Sequence, residues 1–207
     1  MLESTHLVAL KMNGIKKMTI KGYHGTSEKY KSSIEECGFD PLKSKPRKDH
    51  WLGQGVYFFT QFSIARGWAN IVAKKKNENA LVYSASIEAD KQRVLDLRTY
   101  RGVDCFLSAV IKFLNENADL KYALDDSQYR AVFFDMYKEQ YDIYVMIARF
   151  PKTKAWYASR RTSEEKSIRE KLFDITGIMY LEEQICVSKK ECISKPILVY
   201  NESMEVV

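Results

Sequence analysis

The spacing of apolar and polar residues in the first part of the chain predicts a strand, a turn and a helix. Residues 17–23 mix β-branched and polar side chains, which is typical of a strand, and a turn follows at residues 24–26. Thr26 or Ser27 can cap the next helix, and Gly38 stands just past its expected end.

The same pattern is repeated in the next stretch of the chain. Residues 56–59 form a short β-prone run after a Gly-Gln-Gly segment, and Thr60 can cap a helix that reaches about residue 75. Residues 80–88 alternate as a strand does.

The rest of the chain mixes both periodicities. Apolar residues recur at helical spacing over residues 105–114, and a capping box at Thr162 and Glu165 predicts a helix over residues 162–173. Residues 128–150 are rich in aromatic side chains and fit either a helix or a strand. Two short apolar runs predict strands near the end of the chain: residues 184–187 and 197–200.

Strands at both ends, with helices mainly in the first half and the middle, predict an α+β protein rather than a doubly wound parallel sheet. A chain of 207 residues with 45% hydrophobic content can bury one good-sized core. We therefore expect a single domain over residues 1–207.

Composition adds a modest positive charge to this picture. The net charge is +6, and the surplus lies mainly at residues 43–48 and 74–76. Such a surplus would attract a polyanion or an acidic partner, although a solvated basic face with no partner is at least as common. The 4 cysteines contain no Cys-x-x-Cys pair and are expected to be reduced and mostly buried.

Membrane and metal chemistry find no support in the sequence. The apolar stretches fall short of the roughly 20 residues that span a bilayer, and the first residues lack the features of a signal peptide. We expect a cytoplasmic location, no membrane partner and no metal cofactor. Rossmann and P-loop nucleotide motifs are missing as well.

Four short motifs point to a specific chemistry by their order along the chain. They are Tyr23-His24-Gly25-Thr26, Leu52-Gly53-Gln54-Gly55-Val56-Tyr57-Phe58, Trp68, and Glu182-Glu183-Gln184-Ile185-Cys186-Val187. Together they resemble the His-Tyr-Glu class of ADP-ribosyltransferases, the superfamily of diphtheria toxin and the poly(ADP-ribose) polymerases. The resemblance covers roughly residues 22–68 and 177–193, and it implies a split β-sheet core with NAD⁺ as substrate and no metal.

The resemblance implies a role for each residue of the first three motifs. His24 would hydrogen-bond a hydroxyl of the adenosine ribose, and the backbone at Gly25, next to Thr26, would approach the nicotinamide carboxamide. Tyr57 and Trp68 would stack on the cationic nicotinamide ring. Relatives more often have tyrosine at the second position, so we expect similar stacking with an altered pocket width.

Two further contacts are expected near these motifs. A serine that contacts the carboxamide in many relatives falls near Ser63 or Ala65. Arg47, in the basic segment, could meet the pyrophosphate or an anionic target, although a solvated loop is the better single interpretation.

The late acidic motif supplies the predicted catalytic group. The resemblance implies that Glu183 hydrogen-bonds the 2′-hydroxyl of the nicotinamide ribose and stabilises an oxocarbenium-like transition state. A shift of one residue in the alignment would place Gln184 or Glu182 there instead, and with Gln184 the site would lose its charge.

The resulting hypothesis is a mono-ADP-ribosyltransferase, an intracellular toxin or effector that modifies a macromolecule. Nucleic acid, RNA or DNA, is favoured over protein as the acceptor, and an antitoxin or inhibitor protein is a possible partner. The acceptor would be specified by the variable region of about residues 80–178. Two alternatives stay open: an NAD⁺ glycohydrolase, and a non-catalytic NAD⁺ or ADP-ribose binding module.

Overall fold

One mixed sheet organises the part of the chain that the structure describes. The structure is a computed structural model and describes residues 16–44, 50–117, 120, 130–151, 168, 171, 175–176 and 181–204. The strands are β1 (Lys17–Ser27), β2 (Val56–Phe59), β3 (Ala80–Asp90), β4 (Val94–Asp96), β5 (Val145–Pro151), β6 (Leu181–Val187) and β7 (Ile197–Asn201). They lie in the order β4-β5-β6-β2-β1-β3-β7, and neighbours are antiparallel except β4 with β5.

Helices cover the sheet and complete the α+β class that the sequence predicts. They are α1 (Lys31–Cys37), α2 (Phe62–Lys74), α3 (Tyr100–Glu116) and α4 (Arg130–Tyr141). Within the described ranges, none of them is long and apolar enough to cross a bilayer.

Strand alternation separates the apolar side chains onto two faces. On the first face, strand residues such as Phe58, Ile147 and Ile185 pack with Ile34 of α1 and with Phe39. On the second face, one cluster brings α3 and α4 against β5 and β6, and another brings α2 against β1, β2 and β3.

Small residues meet where helix α2 packs against the sheet. Ala65, Ala69 and Ala73 are fully or almost fully buried. A β-carbon added at Gly25 of β1 would stand 2.1 Å from the carbonyl oxygen of Ala65. The glycine in the His-Gly-Thr motif is therefore required by packing, whatever else it does.

Several local predictions need correction near the first motif. Strand β1 continues through the predicted turn as far as Ser27, because its last residues pair with β3. Ser27 precedes a 3₁₀ turn at Glu28–Tyr30, and its side chain makes no capping hydrogen bond. The N-cap position of α2 is Gln61, not Thr60.

Other predictions are resolved farther along the chain. The ambiguous stretch 128–150 contains both elements, first α4 and then β5. The strands predicted at 80–88, 184–187 and 197–200 are confirmed. The helix predicted over 162–173 lies almost entirely outside the described residues.

The cysteine prediction is only half right. All four thiols are free, and Cys186 and Cys192 are buried as expected. Cys37 and Cys105 are exposed, which contradicts the prediction for these two. Burial raises the pKa of Cys186 and of Cys192.

Candidate functional site

The first and second motifs meet where the ladder between β1 and β2 stops. Tyr23 pairs with Phe59, and no further pair of the two strands is formed within the described chain. Instead, His24 donates a hydrogen bond from Nδ1 to the carbonyl oxygen of Tyr57, at 2.8 Å. A carbonyl can only accept, so the proton is on Nδ1, and in the neutral ring Nε2 is an acceptor.

The imidazole of His24 lies on the first face of the sheet. Its centroid is 4.8 Å from the ring of Phe39 and 5.8 Å from the ring of Phe58. Thr26, two residues later on β1, is 6% exposed and pairs with Leu81 of β3. The side chain of His24 is thus fixed by apolar rings and by one backbone carbonyl.

Tyr57 points to the second face and is held at its hydroxyl. The hydroxyl donates to the carbonyl of Gly53 at 2.7 Å and accepts from the amide of Leu52 at 2.8 Å. Its ring stacks on His50, with centroids 5.0 Å apart. Burial raises the pKa of Tyr57 far above its ordinary value, so the phenol is neutral.

The loop that holds Tyr57 is itself bonded to α4. Asp135 accepts from the amide of Gln54 at 2.7 Å, and Lys138 donates to the carbonyl of Gln54 at 2.7 Å and to Asp135 at 3.0 Å. The side-chain amide of Gln54 donates to the carbonyls of Ser44 and Pro41.

Both glycines of the Gly-Gln-Gly segment are explained by this packing. Gly53 has φ +76°, and a β-carbon there would lie 2.2 Å from Oδ1 of Asp135. A β-carbon at Gly55 would lie 2.6 Å from the sulfur of Cys186. The motif therefore allows a loop, a helix and a strand to meet closely.

Trp68 lies on the flank of α2 that faces away from β7. Phe62 and Arg66, on the other flank, contact the ring of Tyr200 on β7. Trp68 is two residues beyond Arg66, which corresponds to about 200° around the helix. Because β2 lies on the other side of β1 from β7, this flank faces the strand that carries Tyr57.

Ser63 does not share this position. It is exposed, and it lies between the two flanks on the side of α2 away from the sheet. Ala65, the other position considered for the carboxamide contact, is fully buried against Gly25. Arg47 lies outside the described residues.

Glu183 on β6 is bonded to two arginines. Its Oε1 accepts from Arg98 at 2.9 Å and its Oε2 accepts from Arg149 at 3.0 Å. The side chain of Glu183 is 15% exposed, against 24% for Arg98 and 52% for Arg149. The carboxylate is therefore largely shielded, and one of its partners reaches into solvent.

Arg98 is fixed by a second carboxylate. Its Nε and one terminal nitrogen donate to the two oxygens of Asp96, each at 2.7 Å. These hydrogen bonds hold the pKa of Asp96 below its ordinary value, and they raise the pKa of Arg98. Asp96 therefore fixes the guanidinium of Arg98 in the position where it hydrogen-bonds to Glu183.

Strand alternation distinguishes the three candidates of the last motif. Glu183 shares the first face with Ile185, and so with His24. Glu182 and Gln184 point to the second face, where Gln184 donates to Glu182 at 2.7 Å. The structure thus brings His24 and Glu183 to one face, and Tyr57, Trp68, Glu182 and Gln184 to the other.

Sequence reasoning missed the charged residues around both ends of this site. Arg98 and Arg149 come from the region considered variable, and so do Asp135 and Lys138. The Asp-x-Arg spacing at 96–98 and the i, i+3 spacing at 135–138 were readable signals of local pairs. Nothing in the sequence joined either pair to its distant partner. Among the described residues, no group of side chains is arranged to hold a metal ion.

Comparison with known proteins gives a distant relative. An uncharacterized protein of Methanocaldococcus jannaschii is 24% identical over 201 residues, a match that covers 84% of each chain. No family model matches the chain, and no solved structure matches it.

Proposed function

We propose that the protein binds NAD⁺ where β1 and β2 part and transfers ADP-ribose to a macromolecule, as ADP-ribosyltransferases of the His-Tyr-Glu class do. One observation carries this proposal. At the point where the ladder stops, the carbonyl of Tyr57 accepts a hydrogen bond from the side chain of His24 and not from the backbone of β1. The seven strands form one sheet, and the single pair between β1 and β2 is the place where the split implied by the resemblance would lie.

The nicotinamide ring would bind on the second face, between Tyr57 and Trp68. The hydroxyl of Tyr57 is neutral and fixed, so its ring offers a stable stacking surface. The flank of α2 that carries Trp68 faces β2. An indole face attracts a cationic ring by its quadrupole as well as by contact.

Glu183 would act on the nicotinamide ribose. It lies on the first face of the sheet, so the proposal requires the bound NAD⁺ to cross the seam between β1 and β2, with its nicotinamide ring on the second face and its ribose beside Glu183. In the transfer, the bond between C1′ and the nicotinamide nitrogen breaks, and its electron pair neutralises the departing ring. The acceptor nucleophile then bonds to C1′ and loses a proton. A carboxylate beside the ribose stabilises the positive charge that develops on the sugar.

Glu183 cannot give full stabilisation while both guanidiniums neutralise it. NAD⁺ carries a pyrophosphate, and guanidinium groups bind phosphates well. Arg149 is half exposed and can turn toward such an anion, whereas Arg98 is fixed by Asp96. The same ion pairs favour a second candidate function, a binding module in which Glu183 stays neutralised and no bond is broken.

The acceptor is the least constrained part of the proposal. A net charge of +6 suits a nucleic acid better than a basic protein surface. The toxin role, the antitoxin partner and the cytoplasmic location stay predictions. With water as acceptor, the same site would give an NAD⁺ glycohydrolase.

The test is incubation of the wild-type protein with NAD⁺ labelled in the adenylate part, together with RNA, DNA or cell lysate. Nicotinamide release and label on macromolecules are followed in parallel. Glu183→Gln should lose at least about a hundredfold in rate, as expected when an electrostatic stabiliser is removed. Glu182→Gln tests the opposite face of β6, and Glu88→Gln, on an exposed position of β3, is the matched control.

Each result has a separate meaning. Label on RNA or DNA supports a nucleic-acid modifying enzyme, and label on protein shows that the acceptor is a protein. Release without label supports the hydrolase. If the wild type binds NAD⁺ and releases no nicotinamide, the binding module replaces the enzyme. If Glu182→Gln abolishes the reaction and Glu183→Gln does not, the catalytic carboxylate is Glu182.

A further inference from the structure

We infer that Asp135 and Lys138 of α4 are positioning residues for the nicotinamide end of this site. The inference rests on the proposed function. It adds that α4, which is remote in sequence from all four motifs, sets the position of Tyr57.

The two residues form a directional contact with the loop before β2, in which Lys138 is buried and the side chain of Asp135 is 44% exposed. Lys138 is 8% exposed, and lysine is rarely buried to this extent without a partner. Its ammonium lies 2.7 Å from the carbonyl of Gln54 and 3.0 Å from Asp135. Asp135 in turn accepts from the amide of Gln54 at 2.7 Å. The backbone amide and the backbone carbonyl of Gln54 are thus both hydrogen-bonded to side chains of α4.

This contact is transmitted to Tyr57 through two adjacent backbone groups. The carbonyl of Gly53 and the amide of Leu52 together hold the hydroxyl of Tyr57. A β-carbon at Gly53 would overlap Asp135, so the loop has no spare room against α4. A change in the contact with α4 therefore moves the groups that fix the tyrosine ring.

Packing alone does not require charged groups here. Burial of the Lys138 charge costs desolvation energy, and an apolar side chain of similar size fills space as well or better. Asp135 and Lys138 instead bond to one amide and one carbonyl, which selects a single conformation of the loop. Within the described chain, they are the charged side chains that hydrogen-bond to residues 52–55.

The experiment compares two fragments of NAD⁺ on the full chain. Nicotinamide reports on the stacking end, and ADP-ribose reports on the remainder. In Lys138→Met we expect nicotinamide to bind about five to ten times more weakly, the range that stacking contributes. ADP-ribose should bind within about twofold of wild type. In Asp135→Asn an acceptor oxygen for Gln54 remains, so the loss should be smaller.

The matched control is Lys112→Met on α3, which removes an exposed lysine paired with Glu116 at i, i+4. It should leave both affinities unchanged. The reactivity of Cys186 toward a thiol reagent reports on the fold, because this thiol packs against the same loop. If Lys138→Met does not fold, the same comparison of nicotinamide with ADP-ribose binding on Asp135→Asn tests the inference.

Equal weakening of both fragments, or no weakening of nicotinamide in a folded variant, would overturn the inference and leave the proposed function intact. Failure of the wild type to bind either fragment would overturn the proposed function and the inference together.

Discussion

The two ends of the proposed site are held by different kinds of contact. Tyr57 is held at its hydroxyl by backbone groups of a loop that α4 binds through a buried lysine. Glu183 is held by two guanidiniums, one of which is half exposed. One end is a network of short hydrogen bonds to backbone groups, and the other is a set of ion pairs that reaches solvent at Arg149.

This difference determines how each end responds to its surroundings. Hydrogen bonds to a buried backbone have no alternative partner, so they keep their geometry when salt or ligand is added. An ion pair at a solvent boundary is weakened by salt, and an anion can replace its carboxylate. We expect a rigid stacking end and an adaptable catalytic end.

The largest effect is expected at the rigid end. Gly53→Ala should lower the free energy of unfolding by about 3 kcal/mol, because the residue has φ +76° and its new β-carbon would overlap Asp135. Urea unfolding followed by tryptophan fluorescence measures the change. A loss below about 0.5 kcal/mol would show that the loop is looser than the structure indicates.

A smaller loss is expected at the ion-paired end, and it should differ between the two arginines. Arg98→Gln should cost about 2 kcal/mol, because it leaves two carboxylates close together with one partner removed. Arg149→Gln should cost less than about 1 kcal/mol, because that side chain is half exposed. Chemical unfolding at low and high salt measures both values. Equal losses of unfolding free energy in the two variants would contradict the expected difference between Arg98 and Arg149.

The pH dependence of stability should separate the two ends. The lowered pKa of Asp96 contributes stability that is present above its unfolded value, about 3.9, and that is lost as the pH falls through the folded pKa. Arg98→Gln should flatten this acid limb. The raised pKa of Cys186 acts oppositely, so its contribution is lost as the pH rises above about 8.5. Cys186→Ala should flatten the alkaline limb only.

The smallest effect provides the matched control for Gly53→Ala. Gly67 lies within α2, and a β-carbon there would meet no atom within 4 Å. Gly67→Ala should therefore stabilise the protein by about 0.5 to 1 kcal/mol, the difference in helix propensity. Thermal unfolding checks the sign. A destabilised variant would mean that this side of α2 is covered.

Local patterns were enough to predict much of the fold. The strand at residues 80–88 and the helix at 105–114 follow local patterns that the sequence shows directly, although residues 80–85 of the strand are buried on both faces. The turn predicted at His24 failed because β1 continues by pairing with β3, and that partner lies about sixty residues away. Tertiary pairing outweighed the turn preference of glycine.

The site could be predicted only where a residue type carries its own chemistry. The sequence predicts His24 and Tyr57 as ligand contacts, and the structure adds a hydrogen bond between the His24 ring and the backbone carbonyl of Tyr57. The two arginines on Glu183 come from a strand end and a neighbouring strand, and a single sequence does not show which strands are neighbours. The strand order that decides this is a long-range property.

The interrupted ladder between β1 and β2 also affects the mechanics of the sheet. Force applied across a continuous ladder is shared by every rung, but here the rungs end after Tyr23 and Phe59. We therefore expect this seam to be compliant, and the imidazole of His24 spans it. A molecule that wedges into this seam would deform the protein at one side chain and leave the ladders on either side unstrained.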